Sequence, residues 1–169
     1  MALLSVAVIN AKPQEARPAR SGSHVLLPPE DYIEIQQLYG MYARDVDPGS
    51  ARDASWMFTP EGTFGKQSGQ GMKDFYANVR TTQSAGIRHF NTSYAIVGTP
   101  DGGARGSSYM MEVERRKEGG PIEVTLFGKY EDRLVKTKDG WRFTDRQFYP
   151  DTWRDSKAPV RPSPIPGDN

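Results

Sequence analysis

The 169-residue chain has no cysteine, only two histidines, and charges that nearly cancel, 22 Lys and Arg against 21 Asp and Glu for a net charge of +1. Without cysteine there can be no disulfide, no thiolate nucleophile and no cysteine-based zinc or iron–sulfur site, though the redox compartment is left open. A near-neutral chain presents no broad field to draw nucleic acid or an anionic membrane, so neither is an expected partner. His24 lies in a proline-rich stretch, which leaves His89 alone in the folded region. One histidine cannot supply the usual imidazole shell of a metal, and no metal is expected. The chain also lacks G-x-x-x-x-G-K-[ST], G-x-G-x-x-G and G-x-S-x-G. Nucleotide-cradling loops and a serine nucleophile elbow are thereby unsupported, and no cofactor is expected. No apolar run reaches the length of a membrane span. Residues 1–9, MALLSVAVI, resemble the core of a secretory signal but lack a basic flank and a small-x-small cleavage site. Cytoplasmic location is the expectation, with secretion or the periplasm the alternative if this run is a truncated signal.

What is present divides into three parts. Residues 1–29 are an N-terminal arm or linker, rich in Pro, Ser and Arg over 12–29, residues 30–155 a single domain, and residues 156–169 a proline-rich tail. The domain begins with the stretch on which the rest is organised, EDYIEIQQLYGMYARDVD over residues 30–47. Ile35, Leu38, Tyr39, Tyr42 and Val46 recur at three- and four-residue spacing, the mark of an amphipathic helix with one buried face. Pro48-Gly49 stops it, leaving Asp47 at its inner end. A second short helix is expected over residues 51–58, capped by Ser50 and burying Trp56, Met57 and Phe58. Thr59-Pro60-Glu61-Gly62 then turns the chain into a short strand, TFG. Residues 69–81 read as a third helix with Met72, Phe75, Tyr76 and Val79 on one side.

Beyond residue 86 the pattern changes to strands, over 87–97, 104–115, 122–135 and 141–149, separated by turns at TPDGG, KEGGP and KTKDG. Four long antiparallel strands make one curved sheet, and three N-terminal helices must cover a face of it, an α+β arrangement. Such a cone has an open mouth suited to a small ligand. His89 begins the first long strand and faces the helix end across that hollow, so Tyr42, Asp47 and His89 are expected to meet in one pocket.

Four segments, YARDVD, MFTPEGTF, the His89 strand and GKYEDRLVKTKDGWRFTDRQF, resemble in order and spacing the SnoaL-like branch of the nuclear-transport-factor-two-like superfamily. That superfamily also holds scytalone dehydratase and ketosteroid isomerase. The resemblance covers about residues 30–150. It implies a cystatin-like cone, or α+β barrel, and frequent homodimers or higher homo-oligomers. It also implies that His89 is a catalytic base, Asp47 its orienting partner and Tyr42 a donor to a substrate oxygen. An imidazole titrates near neutrality and a carboxylate behind it fixes its tautomer, so the residue types suit proton transfer. The bland alternative is a helix tyrosine bonded to a strand histidine, with Asp47 capping a loop.

Three further residues are candidates for substrate binding. Tyr39 lies one turn before Tyr42 and shares the pocket or packs. Asn91, and Ser93 with it, shares the side of His89 if the strand alternates without interruption. Arg146 matches an arginine that reaches the pocket in some relatives, and strict alternation sets it with Arg142 and Thr144, opposite Trp141, Phe143, Asp145 and Gln147. A surface position or an ion pair with Asp132 is the other reading of Arg146. The expected activity is that of a cofactor-independent lyase acting by acid–base chemistry on a hydroxylated aromatic or polycyclic small molecule. It would dehydrate that substrate or release formaldehyde from a lignin-type aromatic dimer by retro-aldol cleavage. A ketosteroid-isomerase-like isomerase and a non-catalytic small-molecule-binding module are the alternatives.

Overall fold

A computed structural model describes residues 25–151. The expectations for the N-terminal apolar run and for the proline-rich tail lie outside these residues. The first helix, α1, runs Pro29–Val46. Proline opens it where a missing N–H costs nothing, and Glu30 and Asp31 in its first turn oppose the positive end of the helix dipole. Ile35, Leu38, Tyr39, Tyr42, Ala43 and Val46 form its buried face. Asp47 leaves helical geometry at φ −61°, ψ 145°, and Gly49 takes φ +85° to turn the chain.

The second expected helix is a single 3-10 turn, Ala54–Met57. Asp53, not Ser50, caps it by accepting the Ser55 N–H at 2.8 Å, while the Ser50 hydroxyl donates to Asp45. It is bounded by Asp53 and Phe58, both extended, at ψ 158° and 155°. Phe58 already belongs to β1, Phe58–Phe64, which is longer than the expected TFG strand. The residues expected to turn, Thr59–Pro60–Glu61–Gly62, instead form an irregularity within β1. β2, Gln67–Ser68, leads into α2, Gly69–Thr82, where Met72 and Tyr76 are buried. The described residues therefore hold two α-helices where three were expected.

The remaining strands are β3 Ile87–Gly98, β4 Ala104–Glu114, β5 Glu123–Thr137 and β6 Gly140–Pro150. The six form one curved, unclosed sheet in the order β2-β1-β6-β5-β4-β3. All neighbours are antiparallel except β1 and β6, which run parallel. Helices and sheet enclose a core that includes Ile35, Leu38, Met57, Met110, Trp141 and Phe143.

Two one-residue slips in pairing decide which side chains face this core. Between β3 and β4 the register shifts across Thr92 and Ala95, where Ser93 adopts φ 54°. Tyr94 thereby brings its ring within 5.1 Å of Tyr39. Between β5 and β6, Leu134 pairs with Phe143 but Arg133 pairs with Asp145, so Thr144 is the extra residue. Each bulge turns every later side chain to the other face. Among the described residues no helix is long and apolar enough to cross a membrane. Phe143, fully buried among Tyr39, Tyr42 and Phe58, anchors the inner face of β6. Phe143→Ala should lower unfolding free energy by about 3–5 kcal/mol, measured as a shift of the urea midpoint at unchanged slope.

Candidate active site

At the C-terminal end of α1, Asp47 Oδ1 accepts the backbone N–H of His89 at 2.9 Å and lies 2.9 Å from Nδ1 of the same residue. One carboxylate oxygen thus ties the helix end to β3 and orients the imidazole. The ring is almost covered, its side chain 8% exposed, while Asp47 remains 16% exposed. Directly opposite on β4, Glu112 places Oε2 3.3 Å from His89 Nε2. The other oxygen of Glu112 accepts the Thr125 hydroxyl at 2.6 Å. Carboxylates therefore face both ring nitrogens. A neutral imidazole can donate to only one of them at a time, so the trio can hold a proton at either side of the ring. Among the described residues no group of three His, Cys, Asp or Glu is placed to hold a metal ion.

Deeper on the inner face, Arg146 is fully buried beside Asp132, with Nε 3.5 Å from Oδ1. Its guanidinium carbon stands 3.7 Å from the ring centre of Tyr130, 4.0 Å from that of Tyr42 and 4.5 Å from that of Phe143. Tyr39 donates to the second oxygen of Asp132 at 2.6 Å. Gly106 makes this bond possible, because a Cβ there would sit 2.2 Å from the Tyr39 hydroxyl. The Tyr42 hydroxyl pairs with that of Tyr76 at 3.0 Å. Despite this crowding, Nε, Nη1 and Nη2 of Arg146 make no hydrogen bond, nor do Asp132 Oδ1, Ser108 Oγ and Asn91 Oδ1. Buried donors and acceptors are rarely left unmatched unless a water, ion or ligand completes them.

Burial governs the electrostatics of this chamber. It raises the Asp132 carboxyl to about 6, with Arg146 and the Tyr39 hydroxyl pulling the other way. Burial likewise lifts the phenols of Tyr39, Tyr42 and Tyr130 well above their ordinary range, so they act at neutral pH as hydrogen-bond donors rather than bases. Burial opposes the charge on Arg146, but Asp132 and the surrounding phenols outweigh it and keep the guanidinium protonated.

The expected trio is thus only partly assembled. Asp47 and His89 are together, whereas Tyr42 spends its hydroxyl on Tyr76 and its ring on Arg146. Tyr39 belongs with Asp132, and Asn91 donates to the backbone carbonyl of Tyr39 at 3.0 Å, linking β3 to α1. Arg146 faces inward with Trp141 and Phe143, not opposite them, because the bulge at Thr144 interrupts the alternation. The ion pair with Asp132, one of the two other readings of Arg146, is present. Ser93 does not continue the face of His89 and Asn91, because the chain kinks there. Glu112 was missed from sequence, and the same kink explains why. Counting outward from the Gly98–Ala104 pair would set His89 opposite Val113, one residue away.

Comparison with known proteins bears on the fold. A model of the SnoaL-like domain matches residues 29–147. The chain belongs to the SnoaL-like family. Its match covers the described helices and nearly all of the sheet, so the cone is the family's own. Among solved structures, a candidate aromatic ring hydroxylase from Novosphingobium aromaticivorans is 26% identical, with a TM-score of 0.63 over 75% of this chain and 93% of the other. A cystatin-like protein of unknown function from Nostoc punctiforme is 22% identical, with a TM-score of 0.63 over 76% of this chain and 97% of the other. A candidate scytalone dehydratase from Novosphingobium aromaticivorans is 19% identical, with a TM-score of 0.60 over 73% and 85%. No protein of curated function matches the chain.

The raised Asp132 carboxyl gives this SnoaL-like chain a signature in its stability. The ordinary carboxyl value is 3.8 and the folded one about 6. Between them the folded state holds a proton that the unfolded chain releases, so the contribution of Asp132 is fully present below pH 3.8 and lost as pH rises past about 6. Urea unfolding at pH 4 to 7 should show the stability of the parent falling relative to Asp132→Asn across that window. Equal pH slopes for the two would contradict the assignment.

Proposed function

We propose that this chain is a cofactor-independent acid–base lyase acting on a hydroxylated aromatic or polycyclic small molecule, with His89 as its proton-transferring group. The observation that carries this reading is the 2.9 Å approach of Nδ1 to Asp47 in a nearly covered ring. A carboxylate behind the imidazole steadies one tautomer and favours the charged ring formed when a proton arrives at Nε2. Substrate reaches Nε2 by taking the place of Glu112, whose carboxylate then accepts or returns the proton. The unspent donors of Arg146 suit a carbonyl or phenolate oxygen, and the rings of Tyr39 and Tyr42, whose hydroxyls are already engaged by Asp132 and Tyr76, add an apolar wall.

In a dehydration the carbon beside the activated centre gives its proton to His89. The electron pair forms the double bond, and the β-hydroxyl leaves as water after taking a proton from the ring. In the formaldehyde-releasing form His89 takes the hydroxyl proton instead. The C–C bond breaks, and its electron pair is left on the ring-conjugated carbon to be protonated in turn.

A non-catalytic binding module is the second reading, favoured because both nitrogens of His89 already face carboxylates. Turnover separates the two. A panel of hydroxylated aromatics and steroids, followed by mass, should give a product lighter by water or by formaldehyde. An unchanged mass with a moved proton would mark an isomerase. His89→Ala should lose a factor of about 10²–10⁴ in kcat or more, with far-ultraviolet circular dichroism unchanged. A His89→Ala variant with near-full turnover would falsify the mechanism.

A further inference from the structure

A cleft of about 630 Å³ opens beside the β3–β4 turn, apart from the residues described above, and Val97, Thr99, Asp101, Arg105, Arg133 and Val135 line it. Its volume falls within the range of small-molecule sites. Arg105 and Arg133 are paired directly across β4 and β5. Both are exposed and alternate with the inward-facing Ala104, Gly106, Asp132 and Leu134, so the two guanidinium groups lie on the face turned away from the helices. Thr144, the bulge residue of β6, also lines the cleft. A bulge bends its strand, and this one gives the outer face a concavity there.

Like charges directly opposite one another on adjacent strands repel. Neither arginine makes an ion pair among the described residues. Asp101, the carboxylate in the cleft, is occupied by the Thr99 hydroxyl and the Gly103 N–H, although it feels Arg105. Asp145, opposite Arg133 on β6, accepts from Thr63 and Gln147. Two unspent guanidinium forks on neighbouring strands match the planar oxygens of a carboxylate or the tetrahedral oxygens of a phosphate. Val97, Pro100 and Val135 supply apolar wall beside them.

We propose that this cleft is a second ligand site, one that takes an oxyanion carried on a small apolar body, with Arg105 and Arg133 gripping the anionic head. The site does not depend on His89 or on any turnover. It is tested by amide nitrogen–proton NMR of the full chain titrated with benzoate, inorganic phosphate and benzyl alcohol. Benzoate should saturate with a Kd below about 10 mM, shifting amides of residues 97–105 and 133–135. Arg105→Gln/Arg133→Gln should weaken it at least ten-fold, and benzyl alcohol should not saturate. Phosphate binding more weakly than benzoate supports the apolar wall, whereas phosphate binding as tightly overturns that part of the proposal. Unsaturable benzoate shifts, or equal affinity in the double variant, overturn the site.

Discussion

A buried guanidinium dictates much of this architecture. Taking Arg146 out of water is costly, and the chain answers with Asp132 on the adjacent strand and aromatic faces around it. Asp132 in turn needs Tyr39, Tyr39 needs the missing side chain at Gly106, and the carbonyl of Tyr39 holds Asn91 of the strand that carries His89. One charge in the interior thus connects α1 to three strands and to the neighbourhood of the imidazole. Such an ion pair is seldom a large net source of stability. In the proposed lyase, its unspent donors are what would hold a substrate oxygen.

The two polar centres divide the work a proton-transferring cone would require. Asp47, His89 and Glu112 form a chain of groups linked through the imidazole, near enough to the surface for Asp47 and Glu112 to be partly solvated. Arg146, Asp132 and the phenols form a buried cluster with a fixed charge at its centre. Polar groups aimed in advance and shielded from water are the arrangement best able to favour an anionic oxygen.

Much of this was legible in the sequence. The 3.6-residue pattern of α1, its stop at Pro48-Gly49, the four long strands and their turns all depend on local chemistry, and the structure has them. The pairing of Asp47 with His89 was also legible, since a helix end and a strand start are positions that local signals mark. What escaped depends on the bulges. Strict alternation puts Arg146 on the wrong face and His89 opposite Val113. One extra residue at Thr144 and another near Ser93 bring Arg146 to Asp132 and His89 to Glu112. Neither Ser93 nor Thr144 is a glycine that would announce a kink, so only the paired strand reveals it. The second helix was overread because Asp53 rather than Ser50 caps it and Phe58 already pairs with β6.

The kink at Ser93 also bears on the protein's behaviour at high concentration. Among the described residues β3 is the outermost strand on its side of the sheet, paired beyond β4 only by Val25 at Gly98. An edge of that kind invites strand-by-strand stacking into aggregates. Val25 covers one end of it at Gly98, Arg88 adds charge near the other, and the left-handed turn at Ser93 bends the middle out of line. The irregularity that sets Glu112 against His89 therefore doubles as a guard on solubility.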